Sequence, residues 1–99
     1  MVLEHAVLEV ISGQEATFEE AFSTAKAIIS AAPGFQSLRL SRCVENPSRY
    51  LLLVEWERLE DHIDGFRGSP AYQEWRTLLH HFYSPIPTVE HYEETAVIR

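Results

Sequence analysis

Leu51-Leu52-Leu53-Val54 is apolar on both faces of any strand it can form. Val7-Leu8 and Val10-Ile11 repeat the pattern near the N-terminus. An antiparallel sheet with one wet face alternates apolar and polar residues, and these strands do not. The chain therefore calls for a sheet covered on both faces. Yet 99 residues make one domain with only enough helix for a single covering layer. A second copy of the chain is the economical cover for the other face, through a two-fold, self-complementary interface. The expected partner is thus a homodimer mate docked on the open sheet face.

The remaining pattern fixes the order of elements. Val2 to Ile11 reads as a strand, ended by Ser12-Gly13. Thr17-x-x-Glu20 looks like a capping box. It opens a helix whose apolar positions Phe18, Ala21, Phe22, Ala25, Ile28, Ile29 and Ala32 recur at helical spacing. Ala32-Pro33-Gly34 stops it. Phe35 to Val44 and Arg49 to Glu57 form a strand pair around the turn Glu45-Asn46-Pro47-Ser48. Leu59 to Phe66 is a short helix with Leu59, His62, Ile63 and Phe66 along one stripe. Ser69 as N-cap and Pro70 as first residue begin a fresh helix to about Phe82. Its inward stripe is Tyr72, Trp75, Leu78, Leu79 and Phe82. Ile86 to Glu93 is the last strand.

The result is an α+β chain in the ferredoxin-like β-α-β-β-α-β split pattern, a four-stranded antiparallel sheet with its helices on one face.

Fifteen acidic residues against 8 Lys plus Arg give a formal net charge of −7. Phosphate binding needs clustered positive charge, so nucleic acid and anionic membranes are excluded as main partners. Cys43 is the single cysteine, which rules out an intramolecular disulfide. No run approaches eighteen apolar residues, so no membrane span is expected. Met1 to Val10 has neither a basic region nor a long apolar core, so no secretory signal is expected there and a cytoplasmic location is the default.

The segment Glu55 to Tyr92 concentrates the chemistry. It carries both tryptophans, four of the five histidines and three of the four tyrosines. Large amphipathic rings at this density either fill a core or wall a pocket for a flat ligand. No HxxxH or HExxH spacing exists for a metal, His80-His81 diverge on a helix, and no GxSxG elbow is present.

The chain resembles the antibiotic biosynthesis monooxygenase family of small dimeric α+β barrel proteins. The resemblance rests on Val54-Glu55-Trp56-Glu57, Asp61-His62, Phe66-Arg67-x-Ser69, Tyr72-x-x-Trp75 and Val89-x-His91-Tyr92, with Pro33-Gly34-Phe35 before the second strand. It covers nearly the whole chain. It implies a dimeric barrel and a pocket between sheet and helices. The implied reaction is oxidation of a small phenolic, quinol-like or polycyclic aromatic substrate by O₂ with no cofactor.

In such a reaction the substrate anion itself reduces O₂. The protein must bind a flat aromatic, help remove a proton and stabilise the anion. Trp56, Phe66, Tyr72 and Trp75 are the candidate walls; Trp75, with Phe82, can equally be core packing. His62 and His91 are the candidate bases, since imidazole titrates near neutrality. Arg67 is the candidate anion partner. On strand alternation His91 and Tyr92 face opposite ways, so one of the two faces the helices. His5 shares a face with Leu3 and Val7, and serves either the pocket or the dimer interface. In the family's haem-degrading branch a His on the second helix ligates iron and an Asn on the first strand assists. Here Trp75 stands near the ligand's position and strand one has no Asn, which disfavours haem, with His62 and His80 as the imidazoles left to ligate. A non-catalytic dimeric ligand-binding or stress-related module with the same pocket is the alternative class.

Overall fold

The computed structural model describes residues 1–99. Its elements are β1 (Val2–Glu9), α1 (Glu15–Ser30), β2 (Phe35–Arg42), β3 (Arg49–Trp56), a π-helical segment (Asp61–Phe66), α2 (Pro70–Leu79), a 3-10 turn (His80–Phe82) and β4 (Val89–Tyr92). The strands lie in the order β2-β3-β1-β4, with every neighbouring pair antiparallel. This is the expected ferredoxin-like arrangement. No helix is long and apolar enough to cross a membrane.

The helices cover one face. Ala6, Leu8, Tyr50, Leu52, Val54 and Trp56 form a single buried cluster with Phe18, Phe22, Ala25 and Ile29 of α1 and Trp75 and Leu79 of α2. Strand alternation sends Leu3, His5, Val7, Leu51 and Leu53 to the other face. They stay outside that cluster, and Val7 is 37% exposed. The sheet is therefore apolar on a side that no element of this chain covers.

Several boundaries differ from the sequence reading, each for a local reason. α1 begins at Glu15, so Thr17 lies inside the helix and no capping box forms. Glu15 instead anchors the start: its carboxylate accepts from the Gly13 amide (3.0 Å) and from Ser48 Oγ (2.6 Å) on the β2–β3 turn. A tertiary contact replaces the local cap. The strands are shorter than expected at their free ends, most of all β4, which pairs only over its four residues with Leu3 to Ala6. α2 stops at Leu79, where the chain tightens into the 3-10 turn. Its start is as expected: Ser69 Oγ accepts from the Tyr72 amide (3.3 Å) and donates to the Phe66 carbonyl (2.6 Å), linking the end of the π-helical segment to α2.

The short helix before α2 is the largest local difference. It is π-helical rather than α-helical, and begins at Asp61. Its wider turn buries His62 and Phe66 and leaves Leu59 and Ile63 at 37% and 39% exposure. The expected four-residue stripe is thus split. Asp61 fixes its entry by accepting from the Arg58 amide (3.1 Å) and pairing with the Arg58 guanidinium (3.1 Å). Gly34, at φ +85°, is packed against the same carboxyl. A Cβ there would sit 2.2 Å from Asp61 Oδ2, so both backbone conformation and space require glycine.

Candidate functional site

A cavity of about 280 Å³ lies between the helix-facing side of the sheet and α2. Ala6, Leu8, Leu52 and Val89 supply an apolar floor from three strands. Phe66, Tyr72 and Trp75 form the opposite wall. Phe66 meets both of the others edge-on, with ring centroids 5.6 and 5.9 Å away, so the three rings brace one another. Three of the expected walls therefore do line a pocket. Phe82 does not: it packs edge-on against Phe18 (5.9 Å) in the core.

The polar end is built by β1, β4 and the π-helical segment. Glu4 and His91 are direct partners in the β1–β4 register. Both lie on the helix-facing side, and His62 descends onto them. His62 Nδ1 is 2.8 Å from His91 Nε2, and His62 Nε2 is 3.3 Å from Glu4 Oε1. Trp56 Nε1–H donates to the same Glu4 Oε1 at 2.9 Å, and the indole stacks on the His62 ring (5.2 Å, 17°). Trp56 is fully buried and does not line the cavity, which corrects its assignment as a wall. It stands behind His62 as packing and as a hydrogen-bond donor. His91 also lies behind His62 rather than on the cavity surface.

Burial sets the protonation states. It pushes the His62 pKa down to about 3, and the charges of Arg67 and His91 push the same way, so His62 is a neutral imidazole at pH 7. His91 is lowered by desolvation and by Arg67. Glu4 is raised by desolvation, opposed by the Trp56 hydrogen bond and the Arg67 charge. A neutral His62 carries one N–H. The Glu4 carboxylate 3.3 Å from Nε2 favours the proton there, as an electrostatic contact rather than an aligned hydrogen bond, which leaves Nδ1 to accept from His91 Nε2–H at 2.8 Å. Arg67 is exposed at the cavity rim, and its guanidinium forms no ion pair within the chain.

Two cavity residues, Glu4 and Tyr83, were not singled out in the sequence, and a third, His80, was not assigned to the pocket. Glu4 shares a strand face with Ala6 and Leu8, so a carboxylate on a buried face was the available signal. His80 was read as diverging from His81 on a helix and as an imidazole left to ligate haem. The 3-10 turn re-aims it to the cavity, where it packs against Tyr72 (6.1 Å) and Tyr83 (5.5 Å). Tyr83 follows that turn and is buried, with its pKa raised by desolvation. His5 lies on the opposite sheet face, edge-on to Tyr92 (5.6 Å), with a buried Nδ1 that has no partner. It serves the open face and not the cavity.

The family model for antibiotic biosynthesis monooxygenase matches residues 1–78. The chain belongs to the antibiotic biosynthesis monooxygenase family. It is 55% identical over 94 residues to the uncharacterized protein YczJ of Bacillus subtilis (strain 168), covering 95% of this chain and 99% of that one. A crystal structure of a candidate antibiotic biosynthesis monooxygenase from Bordetella bronchiseptica is 35% identical. It aligns with a TM-score of 0.91 over 96% of this chain and 97% of that one. A Nitrosomonas europaea protein of the same description shares the fold at 16% identity, with a TM-score of 0.82 over 97% and 100% of the two chains. The matched span of the monooxygenase family model includes Glu4, Trp56, His62, Arg67 and the aromatic wall. His80, Tyr83 and His91 lie beyond it.

Proposed function

We propose that this antibiotic biosynthesis monooxygenase-family chain oxidises a small phenolic or quinol-like aromatic with O₂ and without a cofactor. The observation that carries the reading is the cavity itself. Apolar and aromatic walls close on one end where a carboxylate, the His62 imidazole backed by His91 and an unpaired guanidinium converge. A flat ring fits between the strand floor and the Phe66–Tyr72–Trp75 wall. A volume of about 280 Å³ is at the small end for ligand pockets and favours one or two rings over an extended polycycle. Deprotonation at the polar end makes the substrate electron-rich enough to reduce O₂, and Arg67 at the rim stabilises the anion. One oxygen atom stays in the product. The other leaves as water with two substrate hydrogens, so no external reductant is needed. Haem ligation by His62 is disfavoured because Nδ1 is bonded to His91 and Nε2 faces the Glu4 carboxylate at 3.3 Å.

Oxygen-electrode assays with a panel of hydroxyquinols and anthrones test the reading. The expected result is one O₂ consumed per substrate and a product that has gained one oxygen atom and lost two hydrogens. Tryptophan-fluorescence quenching by the same compounds with no oxygen uptake would instead identify a non-catalytic binding module.

The working unit in this reading is a homodimer closed through the open sheet face. Leu3, Val7, Leu51 and Leu53 leave that face apolar, and the partnerless His5 Nδ1 lies within it. Light scattering at micromolar concentration should give twice the 11.4 kDa chain mass, and Leu53→Asp should return the mass to one chain. A wild-type monomer would remove the dimer from the proposal.

A further inference from the structure

We infer that Glu4, not a histidine, is the proton acceptor of this pocket, with His62 and His91 as the positioning residues that hold it; the inference rests on the oxygenase reading above. The hydrogen-bond inventory carries it. Trp56 Nε1 and His62 Nε2 both address Glu4 Oε1. No group of the chain engages Oε2. That oxygen is not sealed in either, because the one buried side-chain polar atom without a partner is His5 Nδ1. Glu4 is 5% exposed and lines the cavity, so the open side of Oε2 is the cavity.

The histidines lack what a base needs. With its proton on Nε2 beside Glu4 and Nδ1 accepting from His91, His62 has no free lone pair for a substrate proton. His91 stands behind His62, off the cavity surface. Their arrangement suits another task. His91 donates to His62 and thereby fixes its tautomer; Trp56 Nε1–H donates to Oε1 and fixes the carboxylate, with the His62 Nε2 edge packed 3.3 Å from the same oxygen. Oε2 is left aimed at the ligand. The logic is that of a base oriented through its far side.

In the step, the proton of a substrate hydroxyl moves to Glu4 Oε2 and forms a carboxylic acid. The O–H electron pair stays on the substrate oxygen as phenolate, and O₂ is the later oxidant. Negative charge passes from Glu4 to the substrate, so the cavity's net charge is unchanged. Burial raises the Glu4 pKa above the ordinary carboxylate value, which strengthens it as an acceptor. The titratable and charged groups around it are His91 from β4, His62 and Arg67 from the π-helical segment and its end, Tyr72 from α2, and His80 and Tyr83 beyond α2; its β3 neighbour is Val54.

Two measurements on the full chain test this. In oxygen uptake with a hydroxyquinol, Glu4→Gln should lower kcat about 100-fold or more, in the range of general-base contributions, with KM changed little. The acidic limb of the pH–kcat profile should disappear with it. His62→Gln should keep that limb, because Glu4 remains. Independently of turnover, the Glu4 side-chain carboxyl ¹³C resonance, assigned by its loss in Glu4→Gln, should move on adding phenol. Its titration should shift to lower pH, since a donated O–H stabilises the carboxylate. Glu4→Gln turnover with an intact acidic limb overturns the inference while leaving the oxygenase reading in place. So does phenol that quenches tryptophan fluorescence without moving the Glu4 resonance. A Glu4 resonance that responds in a chain consuming no O₂ upholds the acceptor and removes the oxygenase.

Discussion

Trp56→Ala is expected to cost about 3–5 kcal/mol, the usual range for emptying a fully buried large aromatic site. Trp56 has no exposed surface. Its ring stacks on His62, meets Phe35 edge-on at 6.0 Å and leans on Phe66 at 6.0 Å. Alanine would leave a void at the junction of β2, β3 and the π-helical segment. It would also remove the Nε1 donor from Glu4 Oε1, a buried acceptor whose loss of a partner costs about 1–3 kcal/mol. A domain of this size has about 5–15 kcal/mol in total, so Trp56→Ala should sit close to unfolding at ambient temperature. Trp56→Phe separates the two contributions. It keeps most of the ring volume and loses the donor, so it should cost about 1–3 kcal/mol and push the Glu4 pKa further up. Urea unfolding with unchanged m-values measures both. A Trp56→Ala midpoint shift worth under about 1 kcal/mol would mean that Trp56 does not organise the site.

The fold was legible wherever local periodicity carried it. Helical spacing from Phe18 to Ile29, the Glu45–Ser48 turn and the Ser69-Pro70 start each specify their element with nearby residues. The misreadings fall where distant contacts decide. Thr17-x-x-Glu20 has the form of a cap, but Glu15 reaches Ser48 from another element and starts the helix earlier. The π-helical segment defeats a 3.6-residue stripe because its turn is wider, and its register is set by Asp61 against Arg58 and Gly34. The double-faced strands were informative throughout: one face is the core, and the other is the apolar face left uncovered.

The site was half legible for the same reason. Phe66, Tyr72, Trp75, His62 and Arg67 lie within one short stretch, and their residue types drew attention to them. Glu4 lies at the other end of the chain and looks like a strand's ordinary polar residue. Only the β1–β4 register, which places it opposite His91, gives it a role. Trp56 was read as a wall because it is a large aromatic in the ring-rich segment that resembles the family. Its cross-strand partner Val2, the packing of Phe35 and its lack of exposed surface show instead a ring enclosed in the core.

Lowering the pH from 7 to 4.5 should destabilise the wild type by about 3 kcal/mol more than His62→Gln. The folded chain holds His62 at about 3, against 6.5 for the free side chain. Below pH 6.5 the unfolded chain takes up a proton that the folded chain refuses. Stability therefore rises with pH through this window. The His62 contribution is complete above pH 6.5 and is lost as the pH falls toward 3. At pH 4.5 about two pH units of the difference have been spent, each worth about 1.4 kcal/mol. His91 and His80 are shifted the same way and add to the loss. Glu4 acts in the opposite sense. Its folded pKa is raised, so the folded chain takes its proton first and gains stability as the pH falls toward the ordinary value of 4.5. Comparison with His62→Gln isolates the imidazole, because the packing lost with the ring is a constant offset and the slope is not. Urea midpoints at half-unit pH intervals give that slope. Parallel curves for the two proteins would mean that the folded chain protonates His62 as readily as the unfolded chain does. The neutral His62 held between His91 and Glu4 would then be wrong.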